Sequence, residues 1–136
     1  KRMRHPGGSF GYRIEENGKV FVFTSDCEFN IDEIDYIEQY ADFFRDADLL
    51  VFDTQYTFEE LVNKVDWGHS SASIAIDIAA QFNVKRLVLF HHDPEYSDDK
   101  LDLVLANAKS YVSMNLKRKN IDLEVDLAVE GDVIEV

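Results

Sequence analysis

The chain has 136 residues, the length of one domain, and its 46% hydrophobic and 12% aromatic residues give ample material for a buried core, which excludes a disordered chain. Asp and Glu number 27 against 14 Lys and Arg, a formal net charge of −13 that repels phosphates and anionic lipid and excludes a general nucleic-acid binder. The single cysteine, Cys27, leaves no internal disulfide, and no apolar run approaches the roughly 20 residues of a membrane helix, so a reducing, cytoplasmic setting is expected.

From Phe10 to Thr24 two β-rich runs flank Asn17-Gly18, which predicts an antiparallel hairpin. After Asp26 the segment turns acidic. Ile34, Ile37, Ala41 and Phe44 recur at helical spacing, with Asp32, Glu33, Asp35 and Glu38 left for solvent, and the acidic first turn suits a helix N-terminus. Leu49-Leu50-Val51-Phe52 and Leu87-Val88-Leu89-Phe90 are apolar without alternation, the pattern of strands buried on both faces. Between them a helix is predicted, capped by Ser70 or Ser71, striped by Ile74, Ile78 and Ala79, and ended by Asn83. Strand, helix, strand is the parallel crossover unit.

From about Asp98 to Lys119, Leu101, Val104, Leu105, Ala108 and Val112 follow a 3.6-residue period, with Lys117, Arg118 and Lys119 favouring the C-terminal dipole. Ile121 to Val129 alternates as a half-exposed strand, and Glu130-Gly131-Asp132 turns into a last apolar pair, Val133-Ile134. The class is α/β with a mixed sheet and flanking helices. With two prolines, Pro6 and Pro94, and no low-complexity stretch, residues 1–136 read as a single domain.

Three apolar strands run into polar residues: Asp26 after the first, Asp53 after the second, and His91, His92 and Asp93 after the third. In α/β sheets, sites form at the carboxyl ends of strands, where loops converge over a rigid backbone. His plus Asp is a ligand set for zinc, manganese or iron. An aspartate after a strand is also an ordinary turn or cap residue, and each histidine serves equally as a structural hydrogen-bonder. In extended chain His91 and His92 would point to opposite sides. The residues alone reach a metal or acid/base site at the strand ends.

Five segments in one order carry more. His5-Pro6-Gly7-Gly8-Ser9-Phe10-Gly11-Tyr12-Arg13-Ile14, Thr24-Ser25-Asp26, Val51-Phe52-Asp53-Thr54-Gln55-Tyr56, Trp67-Gly68-His69-Ser70-Ser71 and Leu89-Phe90-His91-His92-Asp93-Pro94 together resemble the C-terminal half of a metallo-β-lactamase-fold hydrolase, of the ribonuclease Z and phosphodiesterase branch. The resemblance implies a two-metal site, with zinc first and manganese or iron as alternatives. It makes His5 a ligand of the first ion, Asp26 the bridge, and His91 a ligand of the second, leaving His92 and Asp93 as neighbours. It makes His69 the group that meets the scissile phosphate and its leaving oxygen, held by Asp53, with water activated between the cations as nucleophile.

The family's upstream His-x-His-x-Asp-His occurs nowhere in the chain. With His5 and Asp26 on one ion and Asp26 and His91 on the other, each has two ligands where a catalytic site wants three. The chain begins at Lys1, so it is expected to be the downstream half of a four-layer αββα sandwich, with an apolar sheet face that a partner or second copy covers. The expected activity is hydrolysis of a small phosphoester, such as a cyclic nucleotide, rather than long RNA, which the charge disfavours. Lys1, Arg2 and Arg4 near His5 read as a solvated edge before a phosphate clamp, Cys27 as a buried small hydrophobe, and Trp67 as a base-stacking ring or a loop wall. Two other functions stay open: a non-catalytic module that dimerises or docks through the uncovered face, and a regulatory domain that binds a small ligand at His69 and Asp53.

Overall fold

The computed structural model describes residues 1–30, 33–116 and 120–136; the expectations placed on Asp32, on the Ile34 side chain and on Lys117, Arg118 and Lys119 lie outside the described residues. A two-stranded ribbon comes first. β1 (Arg2–Met3) pairs antiparallel with β2 (Ser9–Phe10), and the loop between them carries His5. β3 (Tyr12–Glu16) and β4 (Lys19–Phe23) then form the expected hairpin. Asn17 and Gly18 sit at φ 52° and 77°, the two left-handed residues that a tight right-twisting hairpin turn requires.

The acidic segment gives two short helices, α1 (Ile34–Glu38) and α2 (Ala41–Phe44), instead of one. Tyr40 breaks the run. Its ring is buried against Phe29, Phe43 and Phe44, and its hydroxyl donates to the Arg2 carbonyl at 3.0 Å, which turns the backbone out of helical register. β5 (Leu49–Asp53), α3 (Phe58–Leu61), α4 (Ala72–Gln81), β6 (Arg86–Phe90), α5 (Asp98–Asn115) and β7 (Glu124–Leu127) follow. The sheet order is β3-β4-β5-β6-β7, and every pair after the hairpin is parallel.

The register separates the two faces. Val22, Leu50, Leu87 and Val125 lie side by side across four strands and are buried in the main core, with Phe52 and Leu89 one row on. Ile74, Ile78 and Ala79 of α4 join that core as the stripe required, with Ala108 and Val112 of α5. On the opposite face stand Tyr12, Phe23, Val51 and Val88, then Ile14, Phe21 and Leu49. On this face the edge-strand residues Tyr12 and Ile14 are 60% and 54% exposed, whereas Leu49 and Val88 of the central strands are buried.

The helix caps differ from expectation at α4. Ser71 is the N-cap residue, one of the two expected, but its hydroxyl bonds Ser73 Oγ rather than a backbone N–H of the helix, while Ser70 Oγ accepts from Phe29 N and donates to the Cys27 carbonyl, tying the β4 exit to the start of α4. Asn83 does end the helix, at φ 56°. α5 is capped by Ser97, whose Oγ accepts from Lys100 N, and stops at Asn115. β7 covers 124–127 rather than 121–129, because it has a partner only along β6. The turn after Val129 does not lead into a strand among the described residues, and Val133 is 90% exposed. Among the described residues no helix is long and apolar enough to cross a membrane.

Candidate metal centre at the strand ends

Two threonines fix where the chain leaves the sheet. Thr24 N and Oγ1 both donate to the Val51 carbonyl, and Thr54 N and Oγ1 both donate to that of Phe90, so each parallel ladder extends one residue past its strand. The chain then turns sharply: Asp26 takes φ 48° and His91 φ 61°. Non-glycine residues in this left-handed region are uncommon and cluster where surrounding structure imposes them. The extended-chain reasoning about His92 against His91 does not apply to this backbone.

Asp26, His69 and His91 come together, each offering a ligand atom, all within 4.8 Å of one another. Asp26 Oδ1 lies 3.0 Å from His91 Nδ1, and Ser25 Oγ donates to Asp26 Oδ1 at 2.7 Å while lying 3.1 Å from His91 Nδ1. The His69 and His91 rings stack with centroids 5.0 Å apart. Behind them Asp53, fully buried, places Oδ2 at 2.7 Å from His69 Nδ1 and also accepts from Cys27 N and Gln55 N. A carboxylate at Nδ1 fixes the proton there and leaves Nε2 with a lone pair.

His5 reaches the same neighbourhood by a different route. Its ring packs edge-on to His69 with centroids 5.2 Å apart, outside the tight cluster, and its Nδ1 accepts from Gly7 N at 3.1 Å. In its neutral form that ring carries its proton on Nε2. His92 is half-buried beside the cluster, and burial pushes its imidazole down against the pull of the Leu89 backbone.

The electrostatics favour ionised groups. Burial pushes the His69 imidazole down, but the hydrogen bond and charge of Asp53, with Asp26 and Glu28, outweigh it and hold the ring above its ordinary value. At Asp26 burial pushes up, and the Ser25 hydrogen bond with His91, His5 and His69 holds the carboxyl below the usual range. Cys27 is fully buried and its thiol pushed well up by burial, which suits a small hydrophobe and not a ligand. The donor set of carboxylate and imidazole fits a divalent ion such as zinc, manganese or iron.

Glu28 is the positioning residue that the sequence hid. It is 2% exposed and accepts from Asp66 N at 3.0 Å and Gly68 N at 2.8 Å, clamping the loop that delivers His69. Its one signal is its place between Cys27 and Phe29, both fully buried. Gly68 sits at φ 96°, where a Cβ would overlap the His5 ring and approach Pro6 Cδ to 2.7 Å.

The rim is largely neutralised. Arg4 bonds Glu33 and Asp66, and Lys1 Nζ donates to the Gln39 carbonyl, so neither waits for a phosphate. Trp67 is half exposed and walls the loop with Tyr56, and Lys64 Nζ stands 3.6 Å over the Tyr56 ring. A hollow of about 340 Å³ beside the centre is lined by His5, Arg4, Glu28 and Asp66 among others. A larger cavity of about 510 Å³, behind Tyr56 between α4 and α5, contains none of the clustered residues.

Residues 1–92 match the family model described as a beta-lactamase superfamily domain. Ribonuclease Z of Thermoplasma acidophilum is 31% identical over 130 residues, covering 90% of this chain and 38% of that protein. Ribonuclease Z of Picrophilus torridus is 38% identical over 92 residues, covering 62% and 28% respectively. The metallo-beta-lactamase fold protein YhfI of Bacillus subtilis superimposes with a TM-score of 0.74 at 23% identity, over 100% of this chain and 48% of that one. The short form of human tRNase Z gives 0.68 at 23% identity, over 99% and 40%. Both structural likenesses show the fold, and the chain spans less than half the length of each of these four proteins.

Proposed function

We infer that this chain, which belongs to the beta-lactamase superfamily, supplies the strand-end side of a two-metal site that hydrolyses the phosphodiester bond of a small substrate. The observation that carries this is the convergence of Asp26, His69 and His91 above a buried Asp53 that holds the His69 ring. In this reading residues 1–136 act as one domain, half of a four-layer αββα sandwich, and a segment upstream provides the remaining ligands and covers the Tyr12 and Ile14 face.

Asp26, His5 and His91 would hold the ions, His5 once its ring gives up Gly7 N. When bound, the ions supply water activated near neutral pH, with zinc favoured and manganese or iron next. His69 does the protein's share of proton transfer. Asp53 accepts from Nδ1 and holds the ring above its ordinary value, so that the doubly protonated form of His69 would donate from Nε2 to the leaving oxygen as the phosphoester bond breaks. A small ester, such as a cyclic nucleotide, is favoured over long RNA by the net charge of −13 and by the pairing of Arg4 with Glu33 and Asp66.

The test uses the protein extended upstream in its own gene, assayed on a cyclic nucleotide, bis(p-nitrophenyl) phosphate and a tRNA precursor. Asp26→Ala is expected to lose metal, and His69→Ala to lose turnover while keeping metal. Preference for the tRNA precursor would reverse the substrate assignment; equal metal loss in both variants would reverse the roles.

The exposed Tyr12 and Ile14 favour one second reading, an interaction module that self-associates through this face. It predicts dimers of the 136-residue chain and no hydrolysis by the extended protein under any metal.

A further inference from the structure

We propose that this chain by itself holds one divalent ion, with His69 as a ligand through Nε2 beside Asp26 and His91. This rests on the reading that the strand-end cluster takes divalent metal, and goes beyond it in making His69 a ligand as well as a proton donor.

The first support is spacing. One candidate ligand atom from each of the three residues lies within 4.8 Å of the others, and because Asp53 holds His69 Nδ1, Nε2 is the nitrogen left to bind. Zinc with N and O bonds of about 2.0 Å sets tetrahedral ligand atoms about 3.3 Å apart, so a small closure completes three corners and leaves the fourth open. None of the three side chains is sealed off, with 36%, 12% and 30% exposure for Asp26, His69 and His91.

The second support is Asp53. Metal-ligating histidines almost always donate their other ring N–H to a carboxylate or carbonyl, which fixes orientation and raises basicity. Asp53 does this for His69 at 2.7 Å, and is itself pinned by Cys27 N and Gln55 N. No comparable preparation exists at His5. Its Nδ1 is taken by Gly7 N, so a neutral ring presents a proton, not a lone pair, at Nε2.

The third support is the ligand count. Without His-x-His-x-Asp-His, Asp26 and His91 alone give two ligands, and His69 makes three. Once upstream ligands engage, His69 Nε2 is released to the leaving oxygen, which reconciles its two roles.

Calorimetric zinc titration of the 136-residue chain is expected to show one ion. His69→Ala should weaken binding by more than about 100-fold and Asp53→Asn by about 10- to 100-fold. Asp48→Asn, at the opposite end of β5 from Asp53, should change it by less than about twofold. Histidine 15N spectra of the unsubstituted chain, with and without zinc, guard against a variant that misfolds: the His69 Nε2 signal should move to the metal-bound position while that of His5 stays. An unmoved His69 signal, or loss of binding in His5→Ala but not in His69→Ala, overturns the proposal. Absence of zinc binding by the chain also overturns it, and the extended protein then separates the two readings. Two tightly held ions there leave the two-metal hydrolase standing, whereas none there removes both.

Discussion

Replacing Gly68 by alanine tests whether the His69 loop is seated against His5 as tightly as its geometry requires. Gly68, at φ 96°, would direct a Cβ into the His5 ring and to 2.7 Å from Pro6 Cδ, whereas Gly131, at φ 89°, has nothing within 4 Å of its Cβ position. Both substitutions carry the cost of an L-residue at positive φ, about 1–2 kcal/mol. Only Gly68→Ala must also displace something. The His5 ring is held by Gly7 N, and the loop by the Glu28 carboxylate through Asp66 N and Gly68 N. Losing one hydrogen bond to a buried charged group costs about 1.5–3 kcal/mol. Gly68→Ala should therefore destabilise the metal-free chain by about 3–5 kcal/mol and Gly131→Ala by about 1–2 kcal/mol. Urea unfolding of the two variants beside the parent chain measures the difference, with unchanged m-values required before midpoints are compared. Equal losses in the two variants would refute the seating of this loop on His5.

Two further outcomes test the fold away from the centre. The Lys85 hydrogen bond and Val20 N hold the Asp48 carboxyl below the usual range; its stabilisation is present above the unfolded-state value and disappears as pH falls through the folded one. Asp48→Asn should thus lose less stability between pH 5 and pH 2.5 than the parent, at salt held constant, and parallel acid curves would contradict this. On the uncovered face, Tyr12→Lys with Ile14→Lys should change unfolding stability by only about 0.5 kcal/mol, since both side chains are exposed, yet remove any self-association seen by sedimentation. Dimers that persist in this variant would place the interface elsewhere.

The elements most legible in the sequence are those set by local chemistry. Asn17-Gly18 specified its hairpin, and the unalternating Leu49 to Phe52 and Leu87 to Phe90 specified central parallel strands, because period and turn type act over a few residues. Tyr40 was illegible because a helical stripe does not reveal that one ring will be drawn across to the Arg2 carbonyl, some 38 positions earlier. At the centre, residue types and strand-end placement singled out Asp26, Asp53 and His91, which the structure brings together around His69. The left-handed turns at Asp26 and His91, which aim those side chains, left no composition cue, since neither position is glycine. Glu28 was not singled out, because its role depends on two backbone N–H groups far along the chain that no local pattern reveals.

The parallel ladder also dictates when the centre can exist during folding. The β3–β4 hairpin closes locally, on the microsecond scale of such turns. Asp26, Asp53 and His91, however, follow three successive parallel strands, and each junction requires a long crossover to close before any ladder bond rewards it. A ligand of this cluster therefore finds no binding site in the early, hairpin-nucleated ensemble. It acts on the native side of the barrier, lengthening the lifetime of the folded chain by slowing its unfolding and leaving the refolding rate nearly unchanged.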